Sequence, residues 1–230
     1  MSKCHNHKKG IVITARVHPG EAQASWICQG LIEFLLSDLP EAIAIRKQFI
    51  IKIIPMLNPD GVRYGNYRCS LCGFDLNRKW LQPNKIYDPT VYYTKKLISV
   101  FKEERDIQLY CDIHGHSRKK NAFMYGCEYG IFDYDSRAKN AILRLFPAFM
   151  EQKNKCFRFK DCSFKVEKSK EETGRIVCFK EFGIRHSFTL ESTFYGRERT
   201  EEDGEDKDMH MDISDFKKLG EDLAKCFVNF

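Results

Sequence analysis

The stretch "TARVHPGEAQASW", residues 14–26, sets His18 and Glu21 on either side of a Pro19-Gly20 break. An imidazole and a carboxylate brought to one point are metal ligands, and Pro-Gly makes the tight reversal that lets them converge. Zinc at a catalytic centre takes three protein ligands, commonly two histidines and a glutamate, and keeps one position for water. The third ligand must come from another part of the chain. "CDIHGHSRKKN" (111–121) offers His114 and His116. His114 directly follows a strand-like run and is favoured; His116 reads as a loop or supporting residue. Taken alone, His-x-x-Glu is a short motif that chance supplies often. A surface turn with an acid at a helix start would look the same.

The elements around these residues supply the missing weight. "IVITARV" (11–17), "FIIKIIP" (49–55), "IQLYCDI" (107–113), "AFMYG" (122–126) and "HSFTLEST" (186–193) read as strands. Amphipathic periodicity marks helices over 21–37, 90–105 with Thr90 as N-cap, 136–152 and 212–228, and a loop with a short helix over 165–183. "NPDG" (58–61) is a turn signal, 62–89 an irregular excursion, and "EEDGEDKD" (201–208) an acidic, exposed loop. Strands alternating with helices predict an α/β fold with a mixed, mostly parallel twisted sheet and helices on both faces. Ligands in such sheets sit beyond the carboxyl ends of the strands. His18, Asn58, His114 and Glu191 all fall at or just beyond such an end.

The bulk properties bound the reading. A chain of 230 residues that is 43% hydrophobic and 13% aromatic packs as one domain. No apolar run approaches the ~20 residues of a membrane span, and the basic start "MSKCHNHKKG" is not followed by a signal-peptide core. The net charge of +6 permits an acidic partner without identifying one. Of ten cysteines, several sit inside apolar runs and read as reduced thiols of a cytoplasmic protein. "CSLC" (69–72) lacks the second pair that a structural zinc needs and reads as loop packing. "CHNH" (4–7) reads as part of a disordered start over residues 1–10.

The blocks "HPGE", "NPDG", "NYRCSLCGFDLNRKW", "CDIHGHSRKKNAFMYGC" and "SFTLEST" stand in the order and spacing of the zinc metallocarboxypeptidases. With "VEKSK" (166–170), the sequence most resembles the cytosolic carboxypeptidase subfamily, the tubulin deglutamylases. The resemblance covers about residues 11–228 and implies a catalytic domain over 11–230. It implies one zinc per chain on His18, Glu21 and His114, with Glu191 as general base and acid for zinc-promoted water attack. It implies Arg68 polarising the scissile carbonyl and Asn77 and Arg78 holding a terminal carboxylate. Each role makes physical sense: a carboxylate can shuttle the proton, a guanidinium beside the metal offsets oxyanion charge, and its planar fork matches a carboxylate better than an ammonium does. Asp75 is a candidate partner for a ligand histidine.

The substrates implied are C-terminal or side-chain glutamates of polyglutamylated proteins such as tubulin, at a cytoplasmic, microtubule- or cilium-associated location. No nucleic-acid or membrane partner is implied. Lys168, Lys170 and Arg175 are candidate cations for the glutamate side chain, Arg175 first among them, and Arg118, Lys119 and Lys120 widen the basic field. The family's closing-loop tyrosine is not identifiable, since Tyr134 is the one tyrosine between 130 and 190. Cytosolic carboxypeptidases carry a β-rich domain and further strands ahead of "HPGE". Their absence here predicts an N-terminally truncated sheet, open at its edge, that needs that domain or a partner. Two rivals follow: an impaired module that binds acidic tails without cleaving them, and a zinc amidohydrolase on small acylamino acids. "HGHSRKKN" and "VEKSK" argue against the second.

Overall fold

The computed structural model describes residues 8–130, 134–200, 203 and 209–230. Its strands are β1 (Lys9–Ala15), β2 (Phe49–Ile54), β3 (Ile107–His116), β4 (Ala122–Tyr125) and β5 (His186–Thr193). The helices are α1 (Ala22–Leu36), α2 (Pro40–Gln48), α3 (Pro59–Tyr64), α4 (Pro89–Glu104), α5 (Tyr134–Lys153), α6 (Gly174–Lys180) and α7 (Ile213–Lys225). The five strands form one sheet in the order β2-β1-β3-β5-β4. The first four run parallel and β4 is antiparallel to β5. This is the mixed, mostly parallel sheet that the alternation of elements predicts.

Side chains alternate across a strand with a period of two, and here the alternation builds two cores. Ile11, Ile13 and Ala15 of β1, Leu109, Cys111 and Ile113 of β3 and Phe188 and Leu190 of β5 face α1, α2, α5 and α7. Val12 and Tyr110 point the other way, into a second core with Val91, Ile98 and Phe101 of α4 and Val177 and Cys178 of α6. Toward the carboxyl ends of the strands, this second face turns polar. Thr14, Asp112, His114, Thr189, Glu191 and Tyr125 follow Val12 and Tyr110 on it by the same alternation.

Helix α1 packs tightly on α7, and two glycines permit that approach. A Cβ on Gly30 would collide with the Lys217 carbonyl, and one on Gly220 with the Ile27 carbonyl.

Several local expectations are corrected. The first strand begins at Lys9 and ends at Ala15, because Arg16 takes a left-handed φ of 56° and turns the chain out of the sheet. Lys9 and Gly10 are thus ordered sheet residues, while the rest of the expected disordered start, including "CHNH", lies outside the described residues apart from Lys8. "NPDG" opens a short helix rather than a simple turn: Asn58 is the N-cap of α3, accepting from Gly61 N at 3.1 Å, and Pro59 holds the first position. Thr90 does not cap α4. Asp88 stands at its N-cap, Pro89 follows, and Thr90 Oγ1 donates to Leu57 O at 2.6 Å. The acidic loop 201–208 lies outside the described residues except for Asp203, whose carboxylate is buried and accepts from Arg197 Nη2 at 2.6 Å.

Candidate active site

Past Arg16, the turn that carries His18 is held from three sides. Arg16 Nε donates to Pro19 O at 2.8 Å. Asn58 Nδ2 donates to Val17 O at 3.2 Å. Gly20 N donates to Tyr67 O at 2.8 Å. Glu21 then occupies the N-cap of α1 with no side-chain capping bond, which leaves its carboxylate free to face the sheet. There it meets both histidines. Its Oε1 lies 2.7 Å from His18 Nδ1 and its Oε2 lies 3.0 Å from His114 Nδ1. Gly115 N also donates to Oε2, at 2.9 Å.

All three side chains are buried, and one ligand atom from each lies within 4.8 Å of the others. The Nδ1 atoms turn inward, and each Nε2 is anchored outward on a carboxylate. His18 Nε2 is 3.0 Å from Asp75 Oδ1, and His114 Nε2 is 2.7 Å from Asp112 Oδ2. Such carboxylate–imidazole pairs fix the ring tautomer and orientation at metal centres.

The electrostatics suit a cation. Burial opposes ionisation of Glu21, but the charge and hydrogen bonds of His114 and His18 hold it well below the usual carboxylate range. Burial likewise opposes a charge on His114, yet Asp112 and Glu21 raise its pKa well above the ordinary imidazole value. Asp75, despite partial burial, is held low by its bond to His18 and by the charges of His18, Arg68 and Arg78. The cluster attracts positive charge, and two imidazole nitrogens with one carboxylate are the donors that zinc takes.

Glu191 faces the same space. It pairs with His114 across the parallel β3–β5 ladder and with Phe123 across β4. Burial raises its carboxyl to about 7; the charge of His114 works against that rise and that of Glu21 with it. A carboxyl near neutrality accepts and returns a proton with little bias.

These groups line a cleft of about 310 Å³ that also holds Arg68, Asn77, Arg78 and Arg175. Asp75 caps the short 3-10 turn at 76–78 by accepting from Asn77 N at 2.9 Å. Asn77 Oδ1 accepts from Gly174 N at 3.1 Å, which leaves Nδ2 facing the site, 3.3 Å from His114 Nε2. Arg78 Nη1 donates to Asn77 O at 2.8 Å. Arg68 reaches the cleft with its Nε and Nη2 both on Asp75 Oδ2, at 3.0 and 2.8 Å. Arg175 is buried; its Nη1 donates to Gly126 O and approaches Cys127 Sγ at 3.4 Å.

His18, Glu21, Arg68, Asn77, Arg78, His114, Arg175 and Glu191 therefore border one cleft, whereas Asp75, Arg118, Lys119 and Lys120 do not line it. Lys170 borders it too, joined by Lys165, whereas Lys168 is not among the lining residues. His116 also borders it, with its Nδ1 accepting from the backbone of Arg118 and Lys119 at 3.2 and 3.1 Å. Sequence reasoning missed Asp112, Tyr67, Tyr125 and Thr189. Asp112 had a signal: a carboxylate two residues before a candidate ligand on one strand shares its face. The cysteines of "CSLC" are free, Cys69 half-buried and Cys72 exposed. Among the described residues, the one group able to hold a metal is His18, Glu21 and His114. No helix among them is long and apolar enough to cross a membrane.

A family model described as "Zinc carboxypeptidase" matches residues 2–212. Cytosolic carboxypeptidase 2 of Danio rerio is 46% identical over 224 residues, which covers 97% of this chain and 30% of that protein. Cytosolic carboxypeptidase 3 of Mus musculus is 48% identical over 229 residues, covering 97% and 22%. The chain thus spans under a third of the length of these relatives. Among solved structures, a metallo-carboxypeptidase from Burkholderia cenocepacia superposes with a TM-score of 0.80 at 24% identity, covering 96% of this chain and 56% of that one. A Pseudomonas aeruginosa metallo-carboxypeptidase in complex with (2-guanidinoethylmercapto)succinic acid gives 0.79 at 24% identity, covering 98% and 57%. At that identity, the two structures speak for the fold.

Proposed function

The chain belongs to the zinc carboxypeptidase family, and from that premise we propose that it is a metallocarboxypeptidase that removes C-terminal or side-chain glutamates from polyglutamylated proteins such as tubulin. The observation that carries this reading is the meeting of His18, Glu21 and His114 at one buried point, with Glu191 paired beside His114 on the next strand. One zinc per chain bound there would polarise the scissile carbonyl and lower the pKa of water toward neutrality.

This chain's residues do the rest. Glu191 takes a proton from the attacking water and delivers it to the departing amine, a task its value of about 7 suits. Arg78 and Asn77 hold the substrate's terminal carboxylate, for which the guanidinium fork provides two parallel donors. Arg68 swings part of its fork from Asp75 to the developing oxyanion, where positive charge counts most. Arg175, buried among Gly126, Cys127 and Tyr125, meets the glutamate side chain, and Lys165 and Lys170 add to the same field. Three cations against the single acid Glu167 in this part of the cleft favour an acidic residue over an apolar one. The names of the similar proteins support a cytoplasmic location, and a glutamylated tubulin tail is the substrate that would bring the chain to microtubules or cilia.

Incubation with a polyglutamylated peptide, followed by mass spectrometry, tests the reading. Loss of single glutamates, slowed by orders of magnitude in Glu191→Gln, is the expected result. Salt-sensitive binding without shortening would instead identify a module that holds acidic tails.

A further inference from the structure

The carboxylate behind His114 is itself held by a buried chain of hydroxyls. Thr14 and Asp112 stand opposite each other in the β1–β3 register, and both are fully buried. Thr14 Oγ1 donates to Asp112 Oδ1 at 2.7 Å. The other oxygen, Oδ2, lies 2.7 Å from His114 Nε2. Tyr110, also fully buried, places its hydroxyl 3.0 Å from Thr14 Oγ1.

The direction of this chain follows from proton counting. An ionised carboxylate only accepts, and a threonine hydroxyl has one proton to give. Since Thr14 gives its proton to Asp112, the Tyr110 hydroxyl must donate to Thr14. Asp112 then takes one proton from Thr14 and one from His114 Nε2. In the neutral imidazole that a metal takes, the proton is thereby fixed on Nε2, and the Nδ1 lone pair is left toward the point where His18 and Glu21 meet. Space for the tyrosine end is kept by Gly174, whose absent Cβ would lie 2.5 Å from the Tyr110 hydroxyl. The Trp80 ring meets Tyr110 edge-on at 5.9 Å.

We propose that Thr14 and Tyr110 are positioning residues which, through Asp112, fix the tautomer and orientation of His114 and so set the affinity of the site for a divalent cation. The arrangement differs from that behind His18. Asp75, the partner there, is partly exposed and shared with Arg68 and Arg78. The carboxylate behind His114 is sealed from water, so its Oδ1 depends on Thr14 for a donor. Removing that donor leaves a buried acceptor unsatisfied and frees the carboxylate to turn away from the imidazole.

The proposal rests on the reading of His18, Glu21 and His114 as zinc ligands, and the experiment separates the two. Zinc dissociation constants are measured on the full chain by competition with a chromophoric chelator, at one pH. Thr14→Val keeps the side-chain shape and removes the hydroxyl; zinc binding weakens by roughly 10- to 100-fold, the range known for partners of metal-bound histidines. Thr14→Ser, which keeps the hydroxyl, stays within about threefold of the parent, on the same argument. Tyr110→Phe weakens binding in the same direction by a smaller factor, and it carries the test should Thr14→Val fail to fold. Parent-like zinc affinity in folded Thr14→Val and Tyr110→Phe overturns the relay and leaves the zinc site standing. Equal weakening in Thr14→Ser and Thr14→Val also overturns it, because the hydroxyl is then not the cause. A folded parent chain that binds no zinc removes the zinc reading and the relay together.

Discussion

Replacing Glu191 with glutamine is expected to slow glutamate release by orders of magnitude and, at alkaline pH, to make the metal-free protein more stable. The second effect follows from burial. The Glu191 carboxyl rises from 4.5 to about 7 in the folded chain, so the folded state holds its proton more tightly than the unfolded state does. For an acid shifted upward, the stabilising contribution is complete below the unfolded value and is lost as pH climbs through the folded one. At roughly 1.36 kcal/mol per pKa unit, the loss between pH 4.5 and 7 reaches about 3 kcal/mol. That figure is an upper value, since Glu191 keeps partial solvent contact. Glutamine carries no such titration. The variant should therefore gain on the parent by about 1 kcal/mol per pH unit across this window and hold a constant lead above it. For a domain of this size, a lead of about 3 kcal/mol corresponds to roughly 6–12 °C in Tm. The assay is urea or thermal unfolding of both proteins in excess chelator from pH 4.5 to 9. Titrating groups that do not interact with Glu191 are common to the pair and cancel in the difference, and the change left is that of Glu191 with the neighbours it is coupled to. A stability gap that stays flat across this range would refute the reasoning, because Glu191 would then ionise as easily folded as unfolded.

Three further outcomes are expected. His18→Ala should lose its zinc by elemental analysis, whereas Glu191→Gln should keep one zinc per chain while glutamate release falls by roughly 10²- to 10⁴-fold. Arg175→Met should lower kcat/KM for a glutamate-ended peptide by roughly tenfold or more while sparing an alanine-ended one, since a charge-assisted hydrogen bond contributes about 1.5–3 kcal/mol; equal losses on both peptides would reject Arg175 as the selecting cation. Gly30→Ala should destabilise the fold by roughly 1–3 kcal/mol in urea unfolding, because its Cβ meets the Lys217 backbone of α7 rather than a side chain that can move away. An unchanged midpoint would show that α1 and α7 can separate freely.

What was legible in the sequence is what local chemistry writes into it. All five strands are β-branched or aromatic runs closed by polar or turn residues, and each was placed to within about three residues of its observed ends. Helix α2 was missed although Pro40 and Glu41 at its start and Arg46 and Lys47 at its end are ordinary helix signals. Its apolar content is too low for periodicity to announce it: Ala42 and Ile45 are its buried residues. The capping of α4 was misread for a different reason. Thr90 is a good cap by type, but Leu57 O lies within its reach, and a tertiary partner outcompeted the local one.

The active site shows the same division between local and distant causes. His18 and Glu21 are three residues apart, so their convergence is written in the Pro19-Gly20 turn. His114 and Glu191 lie far apart in sequence, and only the order β3-β5 makes them neighbours. The order of strands is invisible to periodicity. It fixes the partner sets as well: β1 beside β3 sets Thr14 against Asp112, and β5 beside β4 sets Thr189 against Tyr125. Thr14 illustrates the consequence. Within "IVITARV" it is one more β-branched residue of good strand propensity, and nothing in its neighbours separates it from a valine. Its hydroxyl acquires meaning when the third strand brings a carboxylate opposite, and that carboxylate matters because the next same-face residue is His114, one of the three groups able to hold a metal. Valine keeps the shape and strand propensity of this position but leaves the buried Asp112 oxygen without its donor, so serine, which restores the hydroxyl, is the substitution that separates metal affinity from folding.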